Sequence, residues 1–188
     1  MKVLDPFRWL GDDGQWRLFL LVSILSIAVM VALDDQGSQL KTEASPWGIV
    51  SLEFAGSGEA ATRMLAEWGE RGRLIAGINL GLDFLFILFY AVALSLGSAI
   101  AARSHGRFST SRERIGYLIA WGALLAGLFD VVENVALIEV LTGTDGDWWP
   151  GVARACARLK FAIVGVALAH IISTPLVTRW KMLLAGTR

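Results

Sequence analysis

Four long apolar runs set the plan of this chain, and polar stretches separate them. The first is residues 18–33, LFLLVSILSIAVMVAL, flanked by Trp16 and Arg17. The others lie at about 74–102, 115–141 and 152–177. A helix rises about 1.5 Å per residue, so each run with its flanks can cross a hydrocarbon layer about 30 Å thick. The pattern predicts an all-α integral membrane protein, a four-transmembrane-helix bundle with spans at about 17–34, 74–102, 115–141 and 152–177. These form a single domain over residues 1–188. A cleaved signal peptide is the competing reading of the first run. Asp5, Asp12 and Asp13 spoil a basic leader and no small-residue cleavage site precedes Asp34, so an uncleaved helix is expected.

The long polar stretch, residues 35–73, has a pattern of its own. Residues 34–38 (DDQGS) and Pro46-Trp47-Gly48 read as turns, and residues 49–54 read as a short extended segment. Ser57 is placed to cap a helix, with Glu59 in its first turn. Ala61, Met64, Leu65 and Trp68 follow at i, i+3, i+4 and i+7, which predicts an amphipathic helix over about 58–69 in the first extracytoplasmic loop. Ahead of the first span, Phe7, Trp9 and Leu10 are expected to rest on the membrane surface. At the far end, Pro175 is expected to kink or end the fourth span, with Trp180 and Lys181 as an interfacial anchor.

Charge distribution gives an orientation. Lys2, Arg8 and Arg17 precede the first span, four arginines lie between the second and third, and Arg179, Lys181 and Arg188 follow the fourth. The loops after spans one and three are acidic. The positive-inside rule therefore places both termini in the cytoplasm. The expected location is the plasma membrane, the inner membrane if the source is bacterial.

Composition agrees: 55% of residues are hydrophobic and mean hydropathy is +0.56. Formal net charge is zero, so no nucleic-acid surface is expected. One cysteine, Cys156, and two histidines, His105 and His170, offer neither a disulfide nor a Cys/His metal motif. No cofactor and no metal are expected. Gly77-xxx-Gly81, Ala93-xxx-Gly97 and the Gly122/Ala126 pair form small-residue seams that allow close helix approach. Membrane lipids are the expected partners, and the seams leave open a homodimer or a partner membrane protein.

The candidate chemistry sits inside the apolar runs. The third span carries Asp130, Glu133 and Asn134 on one helical face. The second carries Asn79, Asp83 and Tyr90 as a polar stripe, and the fourth carries Arg158 and Lys160. Counted from the outer ends of their spans, Asp83 lies roughly 13 Å deep, Glu133 roughly 12 Å, Asp130 roughly 16 Å, Arg158 roughly 9 Å and Lys160 roughly 12 Å. Three helices thus bring ionisable groups to one level in the outer half of the bilayer. Each central charge costs about 2.5–3.5 kcal/mol to insert, so these groups must meet each other, water or a ligand. The primary cluster is Asp83, Asp130, Glu133, Asn134 and Lys160, with Asn79, Tyr90 and Arg158 secondary.

Two readings follow. In the first, an ion-pair network fixes helix register in a membrane scaffold or accessory subunit. In the alternative, the chain is a lipid- or amphiphile-handling protein, an outer-leaflet lipid enzyme or a lipid binder or transporter, with the Asp/Glu/Lys cluster as its site. Whether it is an enzyme stays open at this point: a carboxylate general base with a lysine on a headgroup phosphate is conceivable, but no nucleophile elbow, HExxH or phosphate loop is present.

Overall fold

The computed structural model describes residues 4–106, 110–143 and 148–186, with side chains left aside at 105–106 and 175–186. The described residues are all helical or loop. Helix α1 is Asp12–Gly37, α2 is Ile49–Glu53, α3 is Gly58–Gly106, α4 is Thr110–Thr142 and α5 is Trp149–Gly186, with a 3-10 turn at Ser38–Leu40 after α1. Helices α1, α3, α4 and α5 are each long and apolar enough to cross a membrane, with mean hydropathy between 1.8 and 2.3 over their most apolar stretches. The chain is a multi-pass membrane protein built as a four-helix bundle.

Helix α3 is the centre. It packs along α4 most extensively, and α4 packs in turn on α5. The α3–α4 seam is made of small residues. Ala91, Ala99, Ala102, Ala120, Ala123 and Ala126 are all buried. A methyl group added at Gly127 would stand 2.8 Å from Ala91 Cβ, and one at Gly116 would stand 2.5 Å from Ala102 Cβ. Small side chains let the two backbones approach, and dispersion contacts then replace the absent hydrophobic drive between helices in lipid. Gly97 does the same toward Phe19 of α1 and Ile171 of α5. Gly77 and Gly81 do not take part: nothing lies within 4 Å of a side chain added at either.

Helix α1 is attached differently. Only 6% of its most apolar stretch is buried, against 56% for α3. Its main partner among the long helices is α3. Asn79 Nδ2 of α3 donates to Leu33 O (3.0 Å) and Gln36 Oε1 (3.1 Å), pinning one end. At the other end Asp5 accepts a hydrogen bond from Arg103 Nη1 at 2.8 Å and one from Phe7 N at 2.7 Å. This anchoring carries Phe7 into the core, where it packs with Val22, Leu96 and Tyr117, whereas Trp9 stays exposed. Phe7 is thus a core residue and not a surface anchor.

The segment between α1 and α3 folds back over the bundle. Residues 34–38 are not a free turn: α1 continues to Gly37, and Ser38 Oγ bonds Asp35 O within the following 3-10 turn. Residues 49–54 are not extended either. Residues 49–53 form α2, in which Leu52 and Glu53 are both buried. Gly58–Gly69 is the first part of α3, and Ala61, Leu65 and Trp68 are buried there against Leu40, Leu52, Leu80 and Leu137. Trp68 Nε1 donates to Leu40 O (2.8 Å) and Ser45 Oγ (2.9 Å), stapling the loop to this helix. At Gly69 the backbone takes φ 60° and ψ −166°, a conformation open to glycine, and the helix breaks before entering the bundle. Helix α5 does not end at Pro175; its backbone stays helical to Gly186. The expected anchor side chains of Trp180 and Lys181 lie outside the described residues, as do Asp145 and Asp147, the acids of the loop after the third span.

The seam geometry predicts a contrast. Gly116→Ala forces a methyl into the Ala102 backbone and is expected to cost about 1–3 kcal/mol. Gly77→Ala meets open space and is expected to be tolerated. Thermal unfolding of both variants in the same detergent checks this; equal stabilities would refute the α3–α4 seam as the closest contact.

Candidate functional site

Lys160 is where the polar residues converge. It lies on the face of α5 that turns into the bundle, beside the fully buried Ala153 and Ala157, and its own residue is 7% exposed. Its ammonium group has three donors and no acceptor capacity. Nζ lies 2.6 Å from Asp130 Oδ1, 2.9 Å from Glu133 Oε1 and 3.5 Å from Glu53 Oε2. Asp130 and Glu133 are three apart on α4, so one helical face presents both to the same lysine. Tyr90 of α3 donates its hydroxyl to the other Asp130 oxygen at 2.8 Å. Asn134, one residue from Glu133, donates Nδ2 to Asp83 Oδ2 on α3 at 2.7 Å. Four elements, α2, α3, α4 and α5, therefore meet in one polar knot.

The placement of the expected residues is mixed. Asp83, Asp130, Glu133, Asn134 and Lys160 come together, and Tyr90 joins them. Asn79 is buried and faces the same region, but its amide is spent on α1. Arg158 is exposed and outside the knot, because two residues along a helix turn a side chain to nearly the opposite side from Lys160. Glu53 was missed by sequence reasoning. Its signal is one acid in the short apolar segment 49–55, visible only once that segment is read as helical with Glu53 turned inward.

With Glu53 in the cluster and Arg158 outside it, the charge balance changes. Glu53, Asp83, Asp130 and Glu133 surround a single ammonium, a formal excess of three negative charges. Not all carboxylate oxygens are satisfied equally. Both oxygens of Asp130 are engaged, one by Lys160 and one by Tyr90. Asp83 receives one hydrogen bond, from Asn134. The buried Oε2 atoms of Glu53 and Glu133 accept none.

A cavity of about 290 Å³ lies against this knot. Its polar wall is Glu53, Asp83, Asp130, Tyr90 and Lys160. Its apolar walls come from Met30 and Leu33 of α1, Phe86 of α3, and Phe161 and Val164 of α5. Trp47, Ile49 and Val50 of the loop and α2 close one end, with Asp34 and Lys41 beside them. Met30 and Phe161, both about half exposed, stand on either side of it, so the cavity faces sideways between α1 and α5. Among the described residues no three His, Cys, Asp or Glu side chains are set to hold a metal ion.

Breaking this knot and trimming its neighbour have different expected outcomes. Lys160→Met leaves three buried carboxylates without their common counter-ion and is expected to cost about 3–5 kcal/mol. Arg158→Met, on the exposed side, is expected to change stability by no more than about 0.5 kcal/mol. Chemical denaturation in detergent checks the pair, and similar losses would contradict the assignment of Lys160 as the hub.

No family model, curated protein or solved structure matches the chain, so its chemistry rests on this geometry.

Proposed function

We propose that this chain handles a membrane lipid or another amphiphile, with Asp83, Asp130, Glu133, Asn134 and Lys160 as the core of its site and Glu53 and Tyr90 as further members. The observation that carries this reading is the cavity of about 290 Å³ beside the buried charges. It lies at the small end of ligand pockets, roughly 300–1,000 Å³, and suits a headgroup with the start of a chain. One wall is charged and the others are apolar, and the apolar side opens between two membrane helices. That is the division of polarity an amphiphile has. A scaffold held by buried ion pairs needs no such space: packing the charges closed would serve it better.

Topology completes the proposal. With both termini in the cytoplasm, the α2 loop and the site lie toward the outer face, and the ligand is drawn from the outer half of the bilayer. Asp130 holds Lys160 and Tyr90 in place, while Asp83 and Glu53 face the ligand. The same arrangement serves binding, transfer or acid–base chemistry, and the binding step comes first in each.

The test is a variant that fills the space without touching a charge. Val164→Phe on α5 adds a ring to the cavity wall. Native mass spectrometry of the wild type released from its own membrane is expected to carry lipid adducts, and Val164→Phe is expected to lose them while keeping its melting temperature within a few degrees. A wild type free of adducts, or a variant that retains them, would count against the site.

A further inference from the structure

The cavity's charge singles out the kind of headgroup it takes. Asp34, Glu53, Asp83 and Asp130 line it against two cations, Lys41 and Lys160. Lys41 is already beside Asp34 at 3.8 Å, near the exposed mouth. Lys160 hydrogen-bonds Asp130 and Glu133 and is ion-paired with Glu53 at 3.5 Å, so its single charge is already outnumbered by carboxylates before any phosphate arrives. What remains on the cavity side is acceptor capacity. Asp83 has one hydrogen bond and lies partly open. Glu53 is 92% buried, and its Oε2 has no hydrogen-bond donor, only the ammonium at 3.5 Å. An anionic headgroup here would face uncompensated carboxylates at short range, in a medium that screens little.

Aromatic rings supply the second, independent element. Phe86 and Tyr90 lie with ring centroids 5.0 Å apart, and Phe161 stacks on Phe54 at 5.8 Å. Trp47 adds a further ring at the loop end of the cavity. The negative faces of such rings attract cations, and the attraction grows when water is excluded. Phe161 already does this for Lys160, whose Nζ is 5.0 Å from its centroid.

We propose, resting on the reading of the cavity as an amphiphile site, that its headgroup is an ammonium group on an apolar chain. The ammonium sits between Asp83 and Glu53 with the rings around it, and the chain leaves between α1 and α5. Two sources share this chemistry: the amine of an ethanolamine-type phospholipid and a simple alkylamine.

The test uses chain-matched probes on the intact protein in a neutral maltoside detergent. Binding of dodecylammonium is compared with dodecyl phosphate, and dioctanoyl phosphatidylethanolamine with dioctanoyl phosphatidylglycerol, by calorimetry. Each ammonium probe that belongs to the site is expected to bind at least about tenfold tighter than its anionic counterpart, the size of one charge-assisted hydrogen bond. Preference in the phospholipid pair identifies a lipid headgroup as the source; preference in the single-chain pair alone identifies a simple amine. Asp83→Asn and Glu53→Gln are each expected to erase most of that preference, and Val164→Phe to block binding of both members. Equal or tighter binding of the anionic probes, blocked by Val164→Phe, overturns the ammonium assignment and leaves the amphiphile site standing. Absence of binding by all four probes overturns both.

Discussion

The bundle depends on one ammonium group. Lys160 draws carboxylates from α2 and α4 onto α5, and through Asp130 and Tyr90 it reaches α3. Each of these groups alone would be expensive at membrane depth. Together they share the cost, because one ammonium hydrogen-bonds Asp130 and Glu133 and ion-pairs with Glu53, and the Tyr90 hydroxyl donates to the second Asp130 oxygen. The knot also tethers the loop. Glu53 of α2 reaches into the knot while its neighbour Leu52 packs in the bundle core, and together they fix that short helix over the end of the cavity.

Packing explains why space remains beside the knot. The α3–α4 interface is lined with alanine and glycine, so those helices come close and leave no room between them. Helix α1 follows a different rule. It leans on α3 and is tied there by Asn79 at one end and by the Asp5–Arg103 pair at the other. Neither tie reaches α5. The gap between α1 and α5 is therefore a consequence of which helix pairs carry small residues, and the charge cluster lines its floor.

Much of this was legible in the sequence, because the strongest signals are one-dimensional. Apolar run length predicts the four long helices, and three- and four-residue spacing puts Asp130, Glu133 and Asn134 on one face. Counting depth along the spans brings Asp83 and Lys160 to the same level, and the structure brings them together. What failed was whatever depends on rotation about a helix axis or on tertiary burial. The two-residue spacing sets Lys160 and Arg158 on opposite sides of α5 and leaves Arg158 a secondary candidate, and packing decides that it is the one that turns out. Residues 49–54 are too few for a period to declare itself, so Glu53 stayed hidden in a segment read as extended. Phe7 looked like a surface anchor because nothing local reveals that Asp5 binds Arg103, nearly a hundred residues away.

The distribution of satisfied and unsatisfied oxygens separates structural from ligand-facing roles within one cluster. A network whose only task is register gains nothing from acceptors left without donors, since each costs about 1–3 kcal/mol when buried. Here the saturated carboxylate is Asp130, deepest in the knot and held from two sides. The undersatisfied ones toward the cavity are Asp83 and Glu53. On the proposed function this gradient has a cause: Lys160, Asp130 and Tyr90 fix the frame, and the acceptors left over are those a ligand's donors complete. Glu133 tests the logic from the opposite side. Its Oε2 is also without a donor, yet Glu133 is fully buried and lies outside the cavity wall. Glu133 therefore belongs with Lys160 and Asp130 in the frame of the knot and not with the acceptors that face the cavity.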